Sequence, residues 1–351
     1  MARTQGDCGL LDEFVAACVY HLKHAIVDMP DPSELGAPYM PERDPKSDTL
    51  KATHYHFRSH EKVPDGVKRI ALEQIDQAID GLKIRGDGID EAIHEARVCL
   101  KKIRALLRFV RGEMGGRKFK AENRTFRDAG RRLSSVRDSA VIIDTFDKLA
   151  RDASLPATPD LSQMRAGLVR AEGTPVVDKE KALTEVATAM AAARAGLDGW
   201  RIDHMGFAAL GPGLKRVYHE GRAVLKGVRE RPTVENLHEL RKQVKSLSYQ
   251  IHLLEHAWPE ILNSFGGELK DLADLLSDHH DLAVLAEAVS DTPLNQGDED
   301  LKKQVLDLIN RHQLELRMEA MPLAERIYVE KPASFVRRIS GYWNAWRPEI
   351  A

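Results

Sequence analysis

Residues 93–111, IHEARVCLKKIRALLRFVR, carry two parallel stripes. Ile93, Ala96, Leu100, Ile103, Leu107 and Val110 recur at 3,4 spacing, which places them on one helical face to be buried. His94, Arg97, Lys101, Arg104, Arg108 and Arg111 follow the same spacing one residue later, and all are basic. Residues three and four apart are neighbours on a helix, so the six groups form a row about 25 Å long at roughly 1.5 Å rise per residue. Like charges in such a row repel one another. A face meant only for water would alternate signs. The row calls for something long and negative lying along it.

The stretch recurs. Glu235-Asn-Leu-His-Glu-Leu-Arg241 repeats Glu91-Ala-Ile-His-Glu-Ala-Arg97, so His238 matches His94, Arg241 matches Arg97 and Lys245 matches Lys101. Further on, Leu133-Ser-Ser-Val-Arg-Asp138 has a counterpart in Leu276-Ser-Asp-His-His-Asp281. Two blocks in the same order at nearly the same offset predict a duplicated helical unit. Two more basic rows accompany them. Lys120, Arg124, Arg127 and Arg131 recur at helical spacing after the glycines Gly115 and Gly116, and Lys215, His219, Arg222 and Lys226 do so after Gly211-Pro-Gly. Asp138 suits an N-cap, with Arg137 beside the helix start.

A His-x-x-Arg-x-x-x-Lys/Arg helix followed by a Leu-x-x-x-Arg-Asp-x-x-Val corner, each appearing twice, resembles the CHAD domain, the conserved histidine α-helical domain. The likeness covers roughly residues 60–345; the second copy departs from the pattern, reading His-His-Asp where Arg-Asp is expected. The resemblance implies an all-α fold of two pseudo-symmetric antiparallel helical bundles around a basic pore or groove. It implies inorganic polyphosphate as the partner and a binding role without catalysis. On that reading His94, Arg97, Lys101, Arg104, Arg108, Lys120, Arg124, Arg127, Arg131, Arg137, Lys215, His219, Arg222, Lys226, His238, Arg241 and Lys245 form the polyphosphate site, and no cofactor or metal is required. A homodimer and association with polyphosphate granules are compatible with it.

The net charge of −2 does not announce a polyanion binder, but 52 Lys and Arg against 54 Asp and Glu can be segregated onto different faces. Basic rows also suit nucleic acid, yet these lack interleaved aromatic platforms for base stacking. A phosphohydrolase or phosphotransferase needs a nucleophile or paired carboxylates for Mg²⁺. Glu95 and Glu239 are the recurrent carboxylates beside the rows, and they read as ion-pair partners of the cations. The three cysteines, Cys8, Cys18 and Cys99, lack metal-ligand spacing, and the absence of a signal peptide points to a cytoplasmic protein. No apolar run approaches the ~18 residues of a membrane span.

Residues 1–50 read as an extension with a short amphipathic helix and a Pro-rich linker, and 51–345 as the helical domain, its halves falling at about 60–200 and 204–345. His54, His56 and His60 lie in an expected exposed lead-in; alternate histidines on a strand can bind metal. The second corner is expected to separate helices at 259–276 and 281–289, and a last amphipathic helix spans 301–318.

Overall fold

The structure, a computed structural model, describes residues 55–134, 138–152, 159–171, 179–292 and 299–347. Among these the chain forms twelve α-helices. They are α1 (Val63–Gly81), α2 (Ile89–Phe109), α3 (Arg111–Met114), α4 (Gly116–Ser134), α5 (Asp138–Asp152), α6 (Pro159–Ala171), α7 (Lys179–Ala195), α8 (Gly211–Glu230), α9 (Val234–Leu253), α10 (Pro259–Asp291), α11 (Glu299–Ile327) and α12 (Pro332–Trp346). The expected all-α class is found. The N-terminal amphipathic helix, the Pro-rich linker, Cys8, Cys18, His54 and Arg137 lie outside the described residues.

Two apolar cores result. In the larger, α1, α2, α4 and α7 pack together, α8, α9, α10 and α12 pack together, and α2 meets both α8 and α9. The two-striped sequence explains α2: Ile93, Ala96, Leu100, Ile103, Leu107 and Val110 are all buried. The C-terminus of α2 has a close neighbour. A side chain at Gly213, in the first turn of α8, would overlap the Phe109 carbonyl, so only glycine lets the backbones approach this closely. Gly115, at φ +70°, reverses the chain between α3 and α4. The smaller core joins Ile142, Phe146 and Leu149 of α5, Met164 and Leu168 of α6, the last turns of α10, and Val305 and Ile309 of α11.

Three expectations need correction. Leu276 to Asp281 is no corner: it lies inside the 33-residue α10. The run contains neither Gly nor Pro, and Ser277 turns its hydroxyl back onto the Ala273 carbonyl at 2.5 Å, which satisfies it without breaking the helix. The last amphipathic stretch extends well past 318, through Pro322, and a further helix, α12, follows. The lead-in to α1 is not simply exposed. Tyr55 and Phe57 are fully buried, and the Phe57 N–H donates to the Leu253 carbonyl at 3.1 Å. The Tyr55 hydroxyl donates to the Lys102 carbonyl at 2.9 Å. Alternation therefore drives two aromatics inward.

Candidate functional site

A cleft of about 510 Å³ opens where α2, α4 and α9 meet. Helix α2 contributes Arg97, Lys101, Arg104 and Arg108, α4 contributes Arg127 and Arg131, and α9 contributes Arg241, Lys242 and Lys245. Nine cations face one lining carboxylate, Glu239, which accepts from Lys242 at 2.9 Å and Gln243 at 3.2 Å. Tyr249, Ser246, Phe126 and Leu100 form part of the wall. Over the eleven residue steps from Arg97 to Arg108 the α2 row runs about 16 Å.

Three of the nine are held from behind by neutral groups, whereas Arg127 pairs with the Asp128 carboxylate at 2.8 Å. Arg104 Nε donates to Asn123 Oδ1 at 3.2 Å, Arg108 Nη1 to Ser246 Oγ at 2.9 Å, and Arg241 Nε to Ser277 Oγ at 2.9 Å. The Arg108 bond crosses from α2 to α9, as does the buried Gln250 amide donating to the Ala105 carbonyl at 3.4 Å. Neutral partners fix the Arg104, Arg108 and Arg241 guanidiniums in place and leave their charge to act on the cleft.

That charge is uncomfortable. Burial and then the neighbouring Arg108, Arg127 and Arg131 pull Arg104 down to about 10. Burial also lowers Arg108, against Glu220 and Glu239, and Arg241, against Asp281 and Asp274. Lys245 is lowered by burial and by Arg241. Desolvated cations crowded together favour an incoming anion.

The other expected residues are placed elsewhere. Arg222 caps a helix: its Nη1 donates to the carbonyls of Tyr328, Val329 and Glu330 at 2.6, 2.9 and 2.6 Å, beyond the C-terminus of α11. Lys226 lies on the surface, 3.9 Å from Glu230. Lys215 lines a separate cavity of about 990 Å³ with Phe207, Val336, Arg337 and Trp343. His219, Lys120 and Arg124 are exposed and outside the cleft lining. The α8 row fails to reach the cleft because α8 buries Leu214, Val217, Tyr218, Leu225 and Val228 against its neighbours, turning the basic stripe towards α11 and solvent. His94 is half-buried on α2, one turn before Arg97, and does not line the cleft. His238 holds the same place before Arg241, its ring 4.1 Å from that of His280. Burial and His280 pull His238 down to about 4, and its Nδ1 meets no hydrogen-bond partner among the described residues.

Sequence reasoning missed Lys242, which adjoins Arg241 and is reached by Glu239 one turn back. The i, i+3 pairing of Glu239 and Lys242 is a usable signal. Ser246 and Ser277, which hold Arg108 and Arg241, carried no signal that the sequence made visible.

An all-α protein with a cationic cleft between facing helices is thus defined by fold and site together. The family model of the CHAD domain matches residues 69–290, more than half of the chain, and the protein belongs to that family. No curated protein matches the chain. Among the described residues no helix is long and apolar enough to cross a membrane.

Proposed function

We propose that the α2–α4–α9 cleft binds inorganic polyphosphate and holds it without chemical change. The observation that carries this reading is the nine-to-one excess of cations over carboxylates in one lining, with Arg104 already losing proton affinity to burial and then to its cationic neighbours. An elongated anion with about one charge per unit matches rows on α2 and α9 whose side chains are spaced a helical turn apart. Arginine forks bridge two phosphate oxygens, and the lysines add point charges. The matching positions of Arg97 and Arg241, and of Lys101 and Lys245, fit two related halves each presenting one wall. Glu239 is engaged with Lys242 and Gln243, so the cleft offers cations to a polyanion rather than a carboxylate pair to Mg²⁺. A cytoplasmic role in phosphate storage, with granule association, follows from this reading.

Titration with polyphosphate over a salt series tests it. Counterion release should give a slope of log K on log salt of roughly −0.7 per phosphate neutralised, a coefficient borrowed from single-stranded nucleic acid, and so about −6 for nine contacts. Arg97→Ala with Arg241→Ala should weaken binding at least tenfold and flatten the slope by about 1.4. Equal affinity of parent and double variant across the series would refute the site. Phosphate released from polyphosphate or ATP in the presence of Mg²⁺ would refute the absence of catalysis.

A further inference from the structure

Three histidines and a glutamate gather away from the cleft, where the lead-in to α1 meets the turn after α9. His56 Nδ1 lies 3.7 Å from Glu255 Oε1, and His256 Nε2 lies 3.8 Å from the same oxygen. The donor atoms of His56, Glu255 and His256 all fall within 4.8 Å of one another. The imidazole rings of His56 and His256 are 3.8 Å apart, tilted by 36°. Glu255 has its second oxygen, Oε2, fixed by His252 Nδ1 at 2.9 Å. The backbone of His56 is held too, since its carbonyl accepts from Arg69 Nη2 at 2.7 Å.

Two imidazoles and one carboxylate bring three ligand-type atoms together at this junction. One carboxylate oxygen faces two rings at distances too long for a hydrogen bond to either. Zinc bound to nitrogen and carboxylate oxygen at about 2.0–2.2 Å in tetrahedral geometry sets its ligand atoms about 3.4 Å apart. The 3.7 and 3.8 Å separations need to close by only about 0.4 Å, a small ring rotation. The His252–Glu255 bond then acts as the outer partner that orients a ligating carboxylate.

We propose that His56, Glu255 and His256 form a site for a divalent transition metal of the zinc type, with a fourth position left to water. The site clips the segment before α1 onto the turn after α9. Its ligands come from positions about 200 residues apart, so metal binding energy becomes folding energy of this junction. Nothing in the proposal depends on what occupies the cationic cleft.

The test uses the full chain, freed of metal by chelation and kept without phosphate polymers, which sequester metal themselves. Zn²⁺ titrated against a chromophoric chelator should fill one site per chain. Co²⁺ in its place should give the visible absorption of a tetrahedral centre. The thermal midpoint should rise by about 4 °C at a hundredfold excess of Zn²⁺ over Kd. Glu255→Gln and His256→Ala should each weaken Zn²⁺ about 100-fold, and His252→Gln about tenfold. His204→Ala, which removes a ring bonded to Glu113 at 2.9 Å, should change nothing. His256 is exposed, so the metal-free midpoint of His256→Ala should equal that of the parent and show that the variant folds. Zinc held equally well by Glu255→Gln and His256→Ala, or no saturable site at all, overturns the proposal.

Discussion

Replacing Arg104 by methionine should stabilise the protein and weaken polyphosphate binding at the same time. Arg104 is charged in both folded and unfolded chains at pH 7. Its folded-state affinity for the proton is lower by some two and a half powers of ten, so the fold bears the full cost of that charge until pH rises towards 10 and beyond. At 1.36 kcal/mol per power of ten the cost is about 3 kcal/mol. Methionine keeps most of the stem and its packing, but gives up the long charge-assisted bond to Asn123, which contributes about 1.5 kcal/mol. The net gain of about 2 kcal/mol corresponds to a rise of about 3 °C in the thermal midpoint, taking roughly 2.1 cal/mol/K per residue over about 300 ordered residues. Calorimetry in low salt without polyanion measures this, and a polyphosphate titration of the same sample measures the other side. Losing one charge-assisted contact of about 1.5–3 kcal/mol should cost roughly 10- to 100-fold in affinity. A lower midpoint for Arg104→Met at low salt would show that the cation is a structural tie and that the cleft is not under electrostatic load.

Two further expectations concern residues outside the cleft lining. Arg222→Ala leaves three carbonyls without their donor and should cost about 2 kcal/mol in urea unfolding, with polyphosphate affinity within twofold of the parent; a large loss of affinity would return Arg222 to the site. His238 is held down to about 4 in the fold and titrates near its ordinary 6.5 when unfolded, so the unfolded chain binds the proton first. Stability present above pH 6.5 should fall as pH drops to about 4, by about 2 kcal/mol after allowing for solvent screening, and His238→Gln should remove that part of the acid dependence. An unchanged acid limb in the variant would mean that the ring protonates freely in the fold.

How legible the molecule was in its sequence depended on distance along the chain. The α2 stripes, the repeat at His238 and the basic row that begins after Gly211-Pro-Gly are local patterns, and the structure places helices there. The continuous α10 was not legible, because a polar run such as Ser277-Asp-His-His reads equally as a turn until the packing of Leu276 and Leu282 decides it. The cleft was half legible. Rows on α2 and α9 announced themselves, whereas the basic row on α8 looked the same and serves the end of α11 instead. Periodicity tells which residues share a face, not which way the face points once a helix is docked. The meeting of His56 with Glu255 and His256 could not be read at all, since it joins positions about 200 residues apart.

The length of α10 has a mechanical consequence. At 33 residues it spans about 50 Å, with its first turns in the larger core and its last in the smaller one. Ser277, which holds Arg241, lies just before the crossing. Fraying of α10 from Asp291 inwards must first dissolve the contacts of Val289, Leu285 and Leu282 with α5, α6 and α11. Only then can it reach the serine. The smaller core therefore acts as a clamp on the free end of a lever, and amide exchange along α10 should slow stepwise from residue 291 back to residue 276.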